Sequence, residues 1–146
     1  MKRVLIISSN RLGDTILSSG LNNYYKDKYK DSQITFVCGE VPHDLFRYCK
    51  YIDIIIPLKK RKYSFHWLIL FIKVFFKKWE EVIDLRGSLI SFFLFTKKRN
   101  IFRKNTFWLI HKVEEITTNI TGKLVEPKIN ILNADFKNKF RRKKVI

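Results

Sequence analysis

The sequence predicts an α/β fold, a Rossmann-like three-layer sandwich with a parallel sheet. Short apolar runs rich in β-branched residues alternate along the chain with longer stretches of helical periodicity. Strands that alternate with helices at this spacing favour parallel pairing through right-handed crossovers. Ligands of such sheets bind at the carboxyl ends of the strands, so the loops expected to matter are residues 8–14, the region after Ile56 and residues 85–88.

Five segments carry the strand pattern. The first is followed by a polar loop, Ser9-Asn10-Arg11, and the third is closed by Pro57. The predicted strands are residues 4–8, 34–38, 52–56, 82–85 and 100–102.

Helical periodicity fills the intervals between these strands. One amphipathic helix is expected to open at Leu12-Gly13-Asp14 and to run through Tyr29. The predicted helices are residues 12–29, 42–48 and 65–79, a stretch from residue 88 to about 96, and a stretch from about 106 to 120.

Length and composition allow one globular domain. The chain has 146 residues, of which 46% are hydrophobic, and only five Gly and three Pro. We expect residues 1–132 to form this domain. Residues 133–146, which include Phe140-Arg141-Arg142-Lys143-Lys144, are expected to be a basic linker and the start of a further domain that the sequence does not contain.

Cysteine usage indicates a cytoplasmic protein, and the amino terminus is expected to be a first strand. Cys38 and Cys49 show no metal-binding spacing and are too few for a disulfide scaffold, so reduced thiols and no metal site are expected. The apolar core of the first nine residues spans only residues 4–7, whereas a signal peptide needs about 7 to 15.

Positive charge is concentrated in the second part of the chain. Up to Ile56 there are eight Lys and Arg against six Asp and Glu, and from Pro57 onward there are 22 against seven, out of a net charge of +17. Such a surface favours polyanions: phosphorylated sugars, anionic lipid headgroups or nucleic acid. A general compositional bias towards lysine, isoleucine and phenylalanine is the alternative explanation.

The most apolar run, FHWLILFIKVFF, has two interpretations. It covers residues 65–76 and contains Lys73, so it is too short to cross a bilayer, which takes about 20 residues. A crossover helix packed on the sheet accounts for its composition. Basic residues on both sides also suit a helix that lies on a membrane surface.

The loop after the first strand is the first candidate site. Neither the G-x-G-x-x-G dinucleotide pattern nor a Walker loop is present, so no nucleotide cofactor of those classes is expected. Gly13 would let backbone approach a ligand, and Asp14 would place a carboxylate at the edge of the sheet. The alternative for Asp14 is an ordinary helix-capping role.

Five motifs in register resemble glycosyltransferase family 9, the ADP-heptose:lipopolysaccharide heptosyltransferases. They are residues 3–19 with Asn10-Arg11-Leu12-Gly13-Asp14, residues 34–37, residues 51–57, Val82-Ile83-Asp84-Leu85-Arg86-Gly87-Ser88, and His111-Lys112-Val113-Glu114. The resemblance covers only the first, acceptor-side half of the two-domain GT-B fold of that family.

This resemblance implies an inverting sugar transfer from ADP-heptose to the lipopolysaccharide inner core, Kdo-lipid A, with no cofactor. Asp14 takes the place of the general base. The residues implied to bind the acceptor are Asn10, Arg11, Gly13, Lys59, Lys60, Arg61, Lys62, Arg86 and Gly87, although the basic run 59–62 also suits a solvated surface. His111 matches a family histidine, but a structural role is expected for it.

The donor would be bound by the second domain, so the chain alone is expected not to transfer sugar efficiently. The implied location is cytoplasmic, peripheral on the inner face of the inner membrane. The alternative function is a non-enzymatic basic α/β module that binds anionic membrane or RNA; since no RNA-binding motif is visible, nucleic acid is not the expected partner.

Overall fold

The chain forms a five-stranded, all-parallel sheet in the order β3-β2-β1-β4-β5. The computed structural model describes residues 1–59, 65–103 and 111–130. The strands are β1 (Lys2–Ile7), β2 (Ser32–Gly39), β3 (Ile54–Leu58), β4 (Trp79–Asp84) and β5 (Thr96–Ile101).

Helices cover both faces of this sheet. One face carries α1 (Leu12–Leu17), α2 (Gly20–Lys28), α3 (Glu40–Phe46) and α6 (Lys112–Thr121), and the other carries α4 (Phe65–Phe75) and α5 (Ile90–Phe93). The predicted three-layer arrangement is therefore confirmed.

Strand β1 lies at the centre of the sheet and is buried on both sides. Val4 and Ile6 point to the face of α2 and α6, and Leu5 and Ile7 point to the face of α4. All four are 0% exposed. A continuous apolar run is what a parallel strand needs when helices cover both of its faces.

The helix predicted for residues 12–29 is interrupted. Helix α1 ends at Leu17, and Gly20 begins α2. A Cβ at position 20 would lie 2.1 Å from the Glu126 carbonyl oxygen. The backbone of residues 123–130 thus crosses the start of α2, and Lys128 N donates to Ser19 Oγ at 3.0 Å. This contact, distant in sequence, leaves no room for a side chain at position 20, which local periodicity cannot reveal.

Several predicted boundaries around the second face are also wrong. Helix α4 stops at Phe75, and Trp79 opens β4 with its indole N–H donating to the Val74 carbonyl at 3.0 Å. Helix α5 is only four residues long, so β5 starts at Thr96 rather than at residue 100.

The other differences concern β3 and α6. Strand β3 continues through Pro57, which an edge strand tolerates because one of its sides donates no ladder hydrogen bonds. Helix α6 begins at Lys112; residues 106–110 of its predicted range lie outside the described residues. So do residues 131–146, with the predicted linker. No helix among the described residues has the length and apolar content that spanning a bilayer requires.

A buried carboxylate ties α2 to the middle of the sheet. Glu81 of β4 is 1% exposed and accepts hydrogen bonds from Tyr25 Oη at 3.0 Å, Lys28 Nζ at 2.8 Å, Tyr29 Oη at 2.8 Å and Asn100 Nδ2 at 2.6 Å. Burial raises the pKa of Glu81, but the hydrogen bonds from Lys28, Tyr29 and Tyr25 and the charge of Lys28 together outweigh burial, and the pKa is lowered. The carboxylate is stabilised in its charged form.

Replacing Glu81 with Gln should destabilise the fold by about 1–3 kcal/mol at neutral pH, because an amide N–H would then face these donors. The folded pKa of Glu81 is depressed, so its stabilisation is present above its unfolded pKa of about 4.3 and is lost as the pH falls further. Urea unfolding should show the difference from wild type shrinking below about pH 4. Glu80→Gln, which breaks only a surface pair with Lys97, is the control and should cost under about 1 kcal/mol. Equal losses in both variants would contradict the role given to Glu81.

Candidate functional site

The loop after β1 is fixed by hydrogen bonds to both neighbouring strands. Ser8 N donates to the Val37 carbonyl at 2.8 Å, and Leu85 N donates to the Ile7 carbonyl at 2.9 Å. On the next strand along, Phe102 N donates to the Asp84 carbonyl at 2.8 Å. The carboxyl ends of β1, β4 and β5 therefore lie side by side at one edge of the sheet, as the fold prediction requires.

Gly39 at the end of β2 lets this loop pass close by. A Cβ at position 39 would lie 2.8 Å from both the Cα and the carbonyl oxygen of Asn10. Gly39 N also donates to the Ser9 carbonyl at 3.3 Å. Only glycine fits such a close approach of two backbones without moving one of them.

Hydroxyl groups then set the start of α1. Ser9 Oγ accepts from Arg11 N at 3.1 Å, and Thr15 Oγ1 donates to the carbonyl oxygens of Arg11 at 2.8 Å and Ser9 at 3.1 Å. The position before the helix is occupied by Arg11, which has no capping side-chain hydrogen bond. Asp14 stands in the first turn, so its side chain is not the cap of α1.

The Asp14 carboxylate is held by two side chains instead. Ser9 Oγ donates to Oδ2 at 3.3 Å, and Lys112 Nζ from the first turn of α6 lies 2.5 Å from Oδ1. The Asp14 side chain remains 27% exposed. It borders a cavity of about 200 Å³ at the edge of the sheet, lined by Ser8, Ser9, Asp14, Ser18, Leu85, Arg86, Phe102, Lys112, Glu115 and Ile116.

Lys112 lowers the pKa of Asp14 below its ordinary value. Its hydrogen bond is the largest cause, and its charge, the Ser9 hydroxyl and the charge of Arg11 act in the same direction against partial burial. Asp14 is therefore ionised at neutral pH.

The loop after β4 brings a guanidinium to the same cavity. Asp84 is fully buried and accepts from Arg86 N at 2.9 Å, Ser88 N at 2.7 Å and Ser88 Oγ at 2.6 Å, so it holds the turn that contains Gly87 at a φ of 64°. Arg86 Nη1 donates to Asn10 Oδ1 at 3.0 Å. This hydrogen bond joins the two loops across the sheet edge.

The structure gathers some of the predicted site residues and separates others. Asp14 and Arg86 line one cavity, and Asn10 binds Arg86. Arg11 and Gly87 are exposed on the two loops, and Gly13 is exposed in the first turn of α1. An added Cβ at Gly13 would meet no protein atom within 4 Å, which leaves open space beside Asp14.

Lys59 lies at the far end of the sheet order, after the edge strand β3. Its ammonium pairs with Glu40 at 3.2 Å, and it borders a different cavity together with His66 and Lys73. Lys60, Arg61 and Lys62 lie outside the described residues. His111 is exposed at the residue before α6 and does not line the Asp14 cavity.

Sequence reasoning missed Lys112 and Ser9, the two partners of Asp14. Both lie within the motifs described above, but in residues 111–114 the resemblance matched only His111 to a family residue. Within the part of the chain that the structure describes, no three His, Cys, Asp or Glu side chains are grouped as metal ligands would be.

Solved structures with a similar fold are glycosyltransferases. A glycosyl transferase family 9 protein from Veillonella parvula matches 99% of this chain over 50% of its own length, with a TM-score of 0.63 and 16% identity. The structure of E. coli heptosyltransferase WaaC with ADP matches 88% of this chain over 50% of its own length, with a TM-score of 0.61 and 15% identity. E. coli ADP-heptose lps heptosyltransferase II matches 100% of this chain over 51% of its own length, with a TM-score of 0.66 and 14% identity.

The chain thus spans about half the length of the solved structures that it resembles. At these identities the likeness establishes the fold, and it confirms the expected Rossmann-like half of a GT-B arrangement. No protein-family model and no curated protein matches the sequence.

Removing the Lys112 ammonium should raise the pKa of Asp14 towards its ordinary value, because the charged carboxylate loses its main stabilising partner. An NMR titration of the Asp14 carboxyl carbon in Lys112→Met and in wild type measures this shift. Lys123→Met, at the other end of α6, should leave the titration unchanged. An unaltered Asp14 pKa in Lys112→Met would show that the pair does not form in solution.

Gly39→Ala should destabilise the protein by about 1–3 kcal/mol, because the new methyl group collides with the Asn10 backbone. Gly13→Ala is the matched control. It places the same methyl group in open space on a helix and should leave stability unchanged or raise it by up to about 1 kcal/mol. Thermal or urea unfolding measures both. If the two variants were equally stable, the loop would not lie against β2 as described.

Proposed function

We propose that this chain is the acceptor-side part of an inverting glycosyltransferase of the heptosyltransferase type. The observation that carries the proposal is the position of Asp14: an ionised, partly exposed carboxylate beside a cavity at the carboxyl ends of β1 and β4, between the cations of Lys112 and Arg86. The similarity of the fold to solved heptosyltransferases supports the reaction class.

In the proposed reaction Asp14 is the general base. Its carboxylate takes the proton of an acceptor sugar hydroxyl while that oxygen attacks the anomeric carbon of the donor, and the nucleoside diphosphate leaves from the opposite side. The lowered pKa keeps Asp14 ionised but makes it a weak base. Orientation by Ser9 and Lys112 must therefore supply much of the rate.

Charge at the site suits an acceptor that carries phosphate or carboxylate groups. Arg86 and Lys112 line the cavity, and Arg11 is exposed at the start of α1. Cations that surround a base select an anionic sugar and hold it by charge-assisted hydrogen bonds. We assign the acceptor to the lipopolysaccharide inner core, Kdo-lipid A, with the basic run 59–62 as a second binding segment.

The donor in this proposal is ADP-heptose. Because the chain spans about half the length of the solved transferases, we assign donor binding to a second domain and expect no efficient transfer by the present residues alone. Because the proposed acceptor is linked to a lipid, we expect the reaction at the cytoplasmic face of a membrane, with the protein bound peripherally.

Asp14→Asn should lower the transfer rate by about 100-fold or more, because general base catalysis is typically worth that much, while acceptor binding persists in the isosteric variant. The measurement is transfer of labelled heptose by the chain combined with a donor-binding domain. Titration of the chain alone with deacylated Kdo-lipid A, followed by amide NMR, measures acceptor binding independently.

Asp44→Asn is the matched control for this substitution. Its carboxylate is 82% exposed on α3 and should contribute nothing to transfer. A loss below about tenfold in Asp14→Asn would remove Asp14 from the base role. Acceptor-induced shifts confined to residues away from Ser9, Arg86 and Lys112 would place acceptor binding elsewhere.

A further inference from the structure

The helices on the second face of the sheet expose large apolar side chains to solvent. Leu70 and Val74 of α4 point inward and are buried. Other large apolar side chains of α4, of α5 and of the residues just after each helix are 51% to 84% exposed: Leu68, Ile72, Phe76, Phe92, Phe93 and Phe95. We call these six residues the aromatic face.

Ring contacts make the aromatic face one continuous surface. Phe71 of α4 meets Phe93 of α5 edge to face, with ring centroids 6.5 Å apart. Phe75 contacts Phe76 at 5.3 Å and Phe95 at 5.5 Å. Between the two helices a shallow cavity of about 430 Å³ is lined entirely by apolar or aromatic side chains, including Trp67 and the exposed Leu89. Contiguous apolar surface of this kind marks an interaction site, whereas singly exposed apolar residues do not.

Cations border this face, and acidic side chains near it are neutralised. Residues 65–103 contain eight Lys and Arg against three acidic residues. Of the three, Glu81 and Asp84 are buried, and Glu80 pairs with Lys97 at 3.0 Å. The exposed charge of this segment is therefore positive.

The cations directly adjoin the exposed rings. Lys78 and Lys97 line one groove together with Phe95. The Arg99 guanidinium lies 5.8 Å from the centre of the Phe92 ring and donates to the Phe92 carbonyl at 3.3 Å. Aromatic side chains next to lysine and arginine are the composition of a surface that lies at the boundary between lipid headgroups and acyl chains.

We propose that the aromatic face docks on an anionic phospholipid membrane surface. A second copy of the chain would bring two strongly positive rims together, since the net charge is +17, and like charges oppose that contact. Nucleic acid would pair with the cations, but it would not bury the aliphatic side chains of Leu68 and Ile72. An anionic bilayer satisfies both, with headgroups at the rim and the rings at the acyl boundary.

Docking in this way would place the Asp14 cavity beside the membrane. The Arg86 guanidinium stacks on Trp67 at 4.8 Å from the ring centre, and Trp67 lines the cavity between α4 and α5. Arg86 also lines the Asp14 cavity, so the two surfaces meet at this pair. Delivery of a lipid-anchored sugar to Asp14 rests on the proposed function, whereas membrane docking itself does not.

The test is flotation of the full chain with vesicles of phosphatidylcholine alone and of phosphatidylcholine with phosphatidylglycerol. We expect binding to the anionic vesicles only, weakening as salt is raised. The double variant Phe92→Ser/Phe93→Ser should lower the partition coefficient about tenfold or more, because it removes the exposed rings. The charge variant Lys78→Glu/Lys97→Glu, which reverses the two cations beside Phe95, should lower it by a similar factor.

Matched controls lie on the other side of the sheet. Val41→Ser/Leu124→Ser removes apolar side chains that are 66% and 58% exposed, and Lys50→Glu/Lys123→Glu makes the same change in charge. Both controls should bind anionic vesicles like wild type. Circular dichroism on every variant verifies the fold, and the charge variant decides the matter should the serine variant fail to fold.

Three outcomes would overturn the proposal. They are equal binding to both kinds of vesicle, equal losses in the test and control variants, and a dimer in solution that dissociates in Phe92→Ser/Phe93→Ser without any vesicle binding by wild type. None of these readouts depends on sugar transfer, so a failure of Asp14 as general base and a failure of membrane docking are distinguishable.

Discussion

The parallel pairing of β1 with both β2 and β4 is the constraint on which the candidate site depends. The ladder continues past the end of the strand, through Ser8 N to Val37 and through Leu85 N to Ile7. It therefore fixes the first residues of the loops as well as the strand. Burial of Val4, Leu5, Ile6 and Ile7 stabilises this arrangement by about 1.5–3 kcal/mol for each side chain. The buried strand β1 therefore determines the position of Asp14, which lies in the first turn of the helix that follows it.

Three carboxylates of the sheet region differ in how much hydrogen-bonding capacity is left for a ligand. Glu81 accepts from four donors in the interior, and Asp84 accepts from three groups of its own loop. Both are structural, because a ligand would have to displace buried bonds. Asp14 accepts from Ser9 and from the half-exposed Lys112, and it borders open space. An anionic ligand that attracts the Lys112 ammonium would free one oxygen of Asp14 without breaking a buried contact, so a ligand can reach Asp14 more easily than Glu81 or Asp84.

Sequence patterns predicted the buried strands β1 and β2 closely, but not the start of the edge strand β5 or the ends of several helices. Apolar runs such as residues 4–7 mark strands because both faces of the sheet are covered, which is a property of the run itself. The close packing at Gly20 depends instead on the crossing segment near Glu126, and that at Gly39 depends on Asn10. Motif resemblance located Asp14 and Arg86. It did not locate Lys112, whose distance from Asp14 is set by the packing of α6 through Ile116 and Ile120 against the sheet.

Helix α4 shows why one sequence pattern supported two interpretations. A helix that is apolar on most of its sides cannot bury all of them against a single sheet. Leu70 and Val74 pack in the core, as a crossover helix requires. Leu68, Ile72 and Phe76, spaced four residues apart, form a second apolar stripe that is exposed to solvent. On the first face, residues 123–130 cross α2 and hold it through Ser19 and Gly20. The sheet is therefore covered asymmetrically, and the uncovered layer is the one that reaches the candidate site through Trp67 and Arg86. In the proposed docking, the outer layer that remains apolar sets how the candidate site is oriented towards the membrane surface.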